Sequence, residues 1–338
     1  EINPSTENPR NSEGSFIQLA DGHILFIYSH FTSGDGDYAS AYLAQRISDD
    51  QGKTWSGETK TLENEGGLNT MSVSLLRLQS GHIALFYARK NSHTDCRPIM
   101  RISKDEGQTW GEPIDCIPDK VGYFVLNNDR VIQLENGRIL LPVSLHESPD
   151  MPWSDTGHLQ TYYSDDDGHS WNPSELVPNP DSVVLQEPGL VVLRNGQILM
   201  FIRTDAKVQY LAFSKDNGES WSAATPSDIP SPLSPASIMR IPSTGDLLMA
   251  WNNNSGELKS IAGKRTPFTI AISKDDGRSW QQSKNVEKNP DGWYCYTAIE
   301  FVDDHVLLGY CAGNRKENNG LAVTHIARLS LDWIYNKL

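Results

Sequence analysis

Residues 48–55 read SDDQGKTW, and the pattern returns as SKDEGQTW (103–110), SDDDGHSW (164–171), SKDNGESW (214–221) and SKDDGRSW (273–280). Each copy is S-x-D-x-G-x-x-W. Five copies at similar spacing are not chance, and a period of about 55 residues marks a solenoid, a propeller or an array. The pattern itself predicts a tight turn. An Asp carboxylate accepts backbone N–H bonds inside such a turn. The Gly takes a φ that other residues resist. The Ser adds a local bond, and the Trp packs between neighbouring sheets. The acids lack the further spaced ligands and terminal Glu of a calcium loop.

Between the boxes the chain repeats a hairpin. The copies are SFIQLADGHILFIYS (15–29), SVSLLRLQSGHIALFYA (72–88), DRVIQLENGRILLPVSL (129–145), GLVVLRNGQILMFIR (189–203), SIMRIPSTGDLLMAW (237–251) and TAIEFVDDHVLLGYC (297–311). Each is two β-rich runs around a short polar turn. A third strand leads into each box and a fourth follows it. Six such units predict an all-β fold, a six-bladed β-propeller with five Asp-box turns. The sixth unit has SLDW (330–333) where a box would stand. No linker or low-complexity stretch divides the chain, so residues 1–338 read as a single domain.

Composition bounds the partners. The chain is 38% hydrophobic and 21% charged, with a formal net charge of −14. That charge argues against nucleic acid and anionic membranes, which need a basic face. No apolar run is long enough for membrane insertion as a helix. A small anionic ligand remains compatible, since it needs only a few well-placed arginines. Cys96, Cys116, Cys295 and Cys311 form no C-x-x-C pair and read as buried thiols. Residue 1 is Glu, not Met, which reads as processed or trimmed. A secreted or periplasmic location is expected if a leader was removed, with a cytoplasmic one as the alternative.

Antiparallel strands sort the candidate residues. The start of strand one, the end of strand two and the start of strand three share one face of each unit. Arg10 and Glu13 precede the first hairpin; Asp35 and Asp37 lie in its GDGDY loop; Arg89 and Lys90 end the second unit's second strand. Asn127, Asn128, Asp129 and Arg130 open the third unit, and Glu187 and Arg203 bracket the fourth hairpin. Arg265 precedes a third strand, and Tyr294 and Tyr296 open the sixth unit. These groups should converge at one mouth of the channel, where ligands bind. His30, His93 and His146 read as rim or core histidines.

With the boxes, these residues resemble the exo-sialidase (neuraminidase) superfamily over nearly the whole chain. The resemblance implies three arginines on a substrate carboxylate: Arg10 in PRNSEGSF, Arg203 in MFIRTD and Arg265 in GKRTPFTI. It implies Asp37, or Asp35, as acid/base. Glu187 in LQEPGLVVL would be the base of a Tyr nucleophile, Tyr296 first and Tyr294 second. Glu13, Arg89, Asn127, Asn128, Asp129 and Arg130 are candidate substrate contacts. Two departures stand out. The sequence is R-N-S-E where sialidases have R-I-P, and NNDR at 127–130 has no counterpart in their pattern.

The chemistry fits these residue types. Forked guanidiniums grip a carboxylate in a way Lys cannot reproduce. A neutral Tyr approaches an anomeric carbon bearing a carboxylate without like-charge repulsion, the known exception among glycosidases. Its phenol needs an adjacent base, and the leaving oxygen needs an acid. The resemblance implies a retaining exo-α-sialidase that releases terminal sialic acid, the anionic terminal sugar of a glycan, with no metal or cofactor. The alternatives are a hydrolase for another acidic sugar (Kdn, Kdo or a uronic acid), a polysaccharide lyase, and a non-catalytic carbohydrate-binding propeller.

Overall fold

Strands dominate because the chain alternates β-branched and aromatic runs with Gly- and Asp-rich turns. The computed structural model describes residues 1–336. The last two residues of the expected 1–338 domain lie outside the described residues. The first sheet holds β1 (Arg10–Gln18), β2 (Ile24–Phe31), β3 (Ala41–Ser48) and β4 (Thr59–Leu62), paired in that order. A second group holds β5 (Asn69–Arg77), β6 (Ile83–Lys90), β7 (Cys96–Ser103) and β8 (Ile114–Asp115). A third holds β9 (Tyr123–Val125), β10 (Ile132–Gln133), β11 (Ile139–Glu147), β12 (His158–Ser164) and β13 (Asn172–Pro173). A single parallel pair, Cys96 with Tyr123, joins these two groups edge to edge.

Two four-stranded sheets follow. One is β14 (Leu185–Val192), β15 (Ile198–Thr204), β16 (Val208–Ser214) and β17 (Thr225–Pro230); the other is β18 (Ser237–Arg240), β19 (Leu247–Asn252), β20 (Phe268–Ser273) and β21 (Gln281–Glu287). The last sheet has three strands, β22 (Gly292–Val302), β23 (His305–Asn314) and β24 (Thr324–Ser330). Where a fourth would begin, SLDW instead opens the short helix α1 (Leu331–Tyr335), capped by Ser330, whose hydroxyl accepts the Trp333 N–H. On the outer side of β24 the N-terminal Ile2 pairs with Thr324.

The packing closes on itself. All eight residues of β2 are buried, because both faces of its sheet are covered. Ile17, Leu25 and Ile27 pack on Val73, Leu85 and Ile99 of the second group. Similar apolar clusters join each group to the next, and Phe16 and Phe26 meet Ala298 and Leu307 of the last sheet. The innermost strand expected from 129 onward is broken instead: β9 and β10 flank an irregular 126–131 segment. All four cysteines are buried and free.

The box turns share one set of bonds. In the 164 turn, Ser164 Oγ donates to Asp166 Oδ1 (2.8 Å) and accepts from Gly168 N (2.8 Å). Asp166 also accepts from Ser170 N (2.8 Å) and Ser170 Oγ (2.6 Å). The same set recurs from Ser48, Ser103, Ser214 and Ser273. The seventh position is therefore a Thr or Ser whose hydroxyl completes the turn, which the eight-residue pattern left open. Gly168 has φ +89°, and an added Cβ would sit 2.6 Å from Met100 Sδ.

Ser164→Ala should strand the buried Gly168 N–H and cost about 2 kcal/mol, a loss of a few degrees in the thermal midpoint. Differential scanning calorimetry reads this. An unchanged midpoint would mean that the Ser bond does not hold the turn.

Candidate functional site

A regular strand points residues i and i+2 to the same side. Four innermost strands break this rule at the same level. The β1, β5, β14 and β22 ladders slip between Ser12 and Ser15, Met71 and Ser74, Gln186 and Gly189, and Cys295 and Ala298. Within each bulge one non-Gly residue is left-handed: Glu13 (φ 54°), Ser72 (64°), Glu187 (46°) and Tyr296 (57°). Such a residue costs about 1–3 kcal/mol unless its surroundings hold it. Bulges re-aim side chains, and all four of these residues line a cavity of about 450 Å³.

The NNDR segment holds three of the four bulges, those of β1, β5 and β22. Asn128 Nδ2 donates to Gly14 O (2.8 Å) and Tyr296 O (3.1 Å), tying the first bulge to the last. Asp129, itself left-handed at φ 58°, accepts from Ser15 Oγ (2.8 Å) and Ile299 N (2.9 Å) and donates its own N–H to Val73 O (2.9 Å). The Arg130 N–H goes to Ser74 Oγ (2.9 Å) and its Nη2 to Ala236 O (2.7 Å). Three consecutive residues thus bond to β1, β5 and β22 and to the residue leading into β18. The backbone groups freed by bulging find their partners here.

Above this hub sits a cluster of Tyr296, Glu187, Arg203 and Arg265. Tyr296 Oη donates to Glu187 Oε1 at 3.2 Å, and Arg203 Nη1 donates to the same oxygen at 2.5 Å. Arg265 lies over the Tyr296 ring, 5.4 Å from its centroid. Burial would push the Glu187 carboxyl up, but Arg203, Arg265 and Arg130 outweigh it and hold it below the usual carboxylate range. Burial, then Glu187, pushes the Tyr296 phenol up, against Arg265 and Arg203. The result is an ionised base beside a protonated phenol. Arg203 Nε, Arg265 Nη1, Asn127 Nδ2, Trp293 Nε1 and Glu187 Oε2 are buried without a hydrogen-bond partner. Five such orphans on residues lining one cavity mark a candidate site for a polar ligand.

Arg10 is fully buried and does not line the cavity. Its Nε bonds to Ser12 Oγ (2.8 Å), Nη1 to Asp37 Oδ1 (2.6 Å) and Asp35 O (3.0 Å), and Nη2 to Glu13 Oε1 (2.5 Å). The two carboxyls on this one guanidinium are pushed apart. Burial pushes Glu13 up, more than Arg10 lowers it. Asp37 is only partly desolvated, with more than half of its side chain exposed, and Arg10, Lys90 and Arg265 bring it below its ordinary value.

Seven expected site residues stand elsewhere, and two of them, Asp129 and Arg130, are the hub residues described above. Arg10 faces protein carboxylates rather than the cavity. Asp35 touches the site only through its main-chain oxygen, and its side chain is exposed; Asp37 is the loop carboxylate at the cavity. Arg89 points out to Asp115 (3.7 Å), because alternation sends residues 89 and 90 to opposite faces; Lys90 is the one inside. Asn128 lies beneath the cavity floor, fully buried, while Asn127 lines it. Tyr294 stays in an apolar cluster with Phe268 and Tyr310, because the bulge turns only Tyr296. Tyr38, Tyr123, His146 and Trp153 also line the cavity. Alternation from Arg89 could have singled out Lys90; nothing in the sequence marked Trp153. A larger cavity of about 1190 Å³ lies on the hairpin-turn side, lined by inner-strand aliphatics together with charged groups such as Arg77, Arg194, Arg240 and Glu300. There burial, then Asp129, pushes Glu300 up to about 8.

Asp129→Ala removes the acceptor for Ser15 and Ile299 at once. It should cost about 3 kcal/mol in urea unfolding. A loss under about 0.5 kcal/mol, the range of an ordinary surface change, would contradict the hub.

The BNR repeat-like domain family matches residues 67–308, and the BNR/Asp-box repeat matches 46–56. A sialidase of Micromonospora viridifaciens is 26% identical, over 89% of this chain and 50% of that protein. The chain thus spans half the length of that curated relative. A crystal structure of an unknown-function protein from Dyadobacter fermentans superposes with TM-score 0.75 at 18% identity, covering 97% of this chain and 95% of that one. The intramolecular trans-sialidase from Ruminococcus gnavus, in complex with oseltamivir carboxylate, gives 0.77 at 16%, covering 98% and 97%. At these identities the two likenesses speak for the fold alone, that of small antiparallel sheets as in sialidase propellers. The chain belongs to the BNR repeat-like domain family.

Proposed function

We propose that this protein is an exo-acting, retaining glycoside hydrolase of sialidase type, built as one six-bladed propeller over residues 1–338. The observation that carries the reading is the Tyr296–Glu187 contact at 3.2 Å, beside the unpartnered donors of Arg203 and Arg265. Those donors would take the carboxylate of a terminal sialic acid on a glycoconjugate. Arg10 would join them on exchanging Glu13 or Asp37 for substrate. Glu187 would accept the phenolic proton as Tyr296 Oη attacks the anomeric carbon. Asp37 would give a proton to the leaving oxygen, then take one from the water that frees the sugar. A non-catalytic sugar-binding propeller would have no use for a phenol paired with an ionised carboxylate.

A second substrate class stays in the test. Glu13 and Lys90 put two further charged groups in the cavity wall. That favours comparing N-acetylneuraminic acid with Kdn, Kdo and uronic-acid glycosides.

Release of 4-methylumbelliferone from its α-sialoside should be clear with the wild type. It should fall by about a thousandfold or more in Tyr296→Phe. Turnover that survives in the variant would sink the nucleophile. A folded wild type inert on the sialoside but active on a Kdn or uronic-acid glycoside would move the substrate.

The pH dependence has a definite sign. Glu187 works ionised and its carboxyl is held low, so it stays competent as pH falls to the ordinary carboxylate range. Asp37 works protonated and is held low, so kcat/KM should decline as pH rises from there. A profile from pH 4 to 8 should therefore peak on the acid side. A peak above neutrality would contradict Asp37 as the donor.

A further inference from the structure

Asp37 sits on the segment between β2 and β3, the most exposed part of the site. Its side chain is 59% exposed, and the neighbouring Tyr38 is 42% exposed. A carboxylate on such a loop would sample many positions unless its backbone were fixed. Two side chains from the second strand group fix it. Lys90 Nζ, at the end of β6, donates to Asp37 O at 2.7 Å. Asn69 Nδ2, at the start of β5, donates to Asp37 O and Ala39 O, both at 2.9 Å.

Lys90 is 3% exposed. Burying an ammonium is costly unless it is well partnered. Among the described residues no carboxylate lies within ion-pair distance of it. Its partners are the Asp37 carbonyl, Met71 Sδ (3.7 Å) and two ring faces, Tyr38 at 4.8 Å and Tyr123 at 5.4 Å. Two of these four belong to the Asp37 loop itself. Cation–π contact strengthens when desolvated, so the ring and the carbonyl form one grip on residues 37 and 38.

We propose that Lys90, with Asn69, is a positioning residue for the proton donor, latching the Asp37 loop to the second strand group so that the carboxylate stands over the cavity. This rests on the reading of Asp37 as acid. The charged groups that act on Asp37 come from several elements: Arg10 from β1, Lys90 from β6, Arg265 from the approach to β20, and Glu13 from the β1 bulge. Removing Lys90 loosens the loop and also withdraws one of the cations that favour the ionised acid.

The test compares Lys90→Met, Lys90→Arg and wild type on two sialosides, one with 4-nitrophenol and one with lactose as leaving group. Nitrophenolate departs with little help; a sugar alkoxide needs its proton. In Lys90→Met, kcat on the lactose glycoside should fall at least about tenfold further than on the nitrophenyl one. The alkaline limb should move to higher pH, and Lys90→Arg should recover part of both effects. Amide hydrogen exchange over residues 32–40 should quicken in Lys90→Met, a readout that needs no turnover. Equal losses on both substrates with an unmoved limb, or unchanged exchange, would overturn the latch. A wild type inert on both sialosides would count against the proposed function, and exchange would still decide the latch.

Discussion

Asp129 joins strands that lie far apart in sequence, accepting from Ser15 on β1 and Ile299 on β22 while its own N–H reaches Val73 on β5. Asn128 and Arg130 extend the same grip to Tyr296 and to Ala236. Without these bonds the bulged strands would carry unpaired backbone groups in a region water reaches poorly, each costing about 1–3 kcal/mol. Apolar packing between neighbouring sheets is non-directional and would tolerate some slippage. Hydrogen bonds at the axis fix the level at which β1, β5 and β22 bulge.

That level decides where chemistry can occur. Glu187 and Tyr296 both sit in left-handed conformations that an isolated strand would relax. The hub bond from Asn128 holds Tyr296, and the β14–β15 ladder with the Arg203 contact holds Glu187. Once they are placed, the electrostatics follow. Glu187 stays ionised because three guanidiniums surround it, and the phenol beside it stays protonated because burial disfavours its anion, which would also face that carboxylate. The arginines that hold the base also leave donors free in the cavity. One cluster thus sets an ionised carboxylate beside unpartnered guanidinium donors, a local arrangement that the chain's overall charge of −14 does not determine.

The repeat was legible because it is local. A box needs only the bonds within its own turn, and a hairpin only its alternation and turn residues, so both appear as short patterns in the chain. Candidate residues that reach the cavity were legible where they sit near strand ends, as Glu187, Arg203 and Arg265 do. They were illegible where one residue's twist decides the face. Tyr294 and Tyr296 are two apart and should point the same way; only the bulge after Cys295 separates them. Asp35 and Asp37 differ by which side chain, rather than which carbonyl, meets Arg10. The R-N-S-E and NNDR departures looked like altered substrate contacts. Glu13 does stand in the cavity, but NNDR is mostly the axle, a role set by contacts more than 100 residues away in sequence.

In the mechanism proposed above, Tyr296, aimed by its bulge and deprotonated by Glu187, bonds to the anomeric carbon of an acidic sugar. Incubation with a 2,3-difluorinated sialic acid, whose 3-fluorine slows breakdown of the glycosyl-enzyme, followed by peptide mass spectrometry, tests this directly. The account predicts a single adduct on Tyr296, absent when Glu187 is changed to Gln. An adduct on Tyr294 or on a carboxylate, or an unlabelled protein that still turns over substrate, would contradict it.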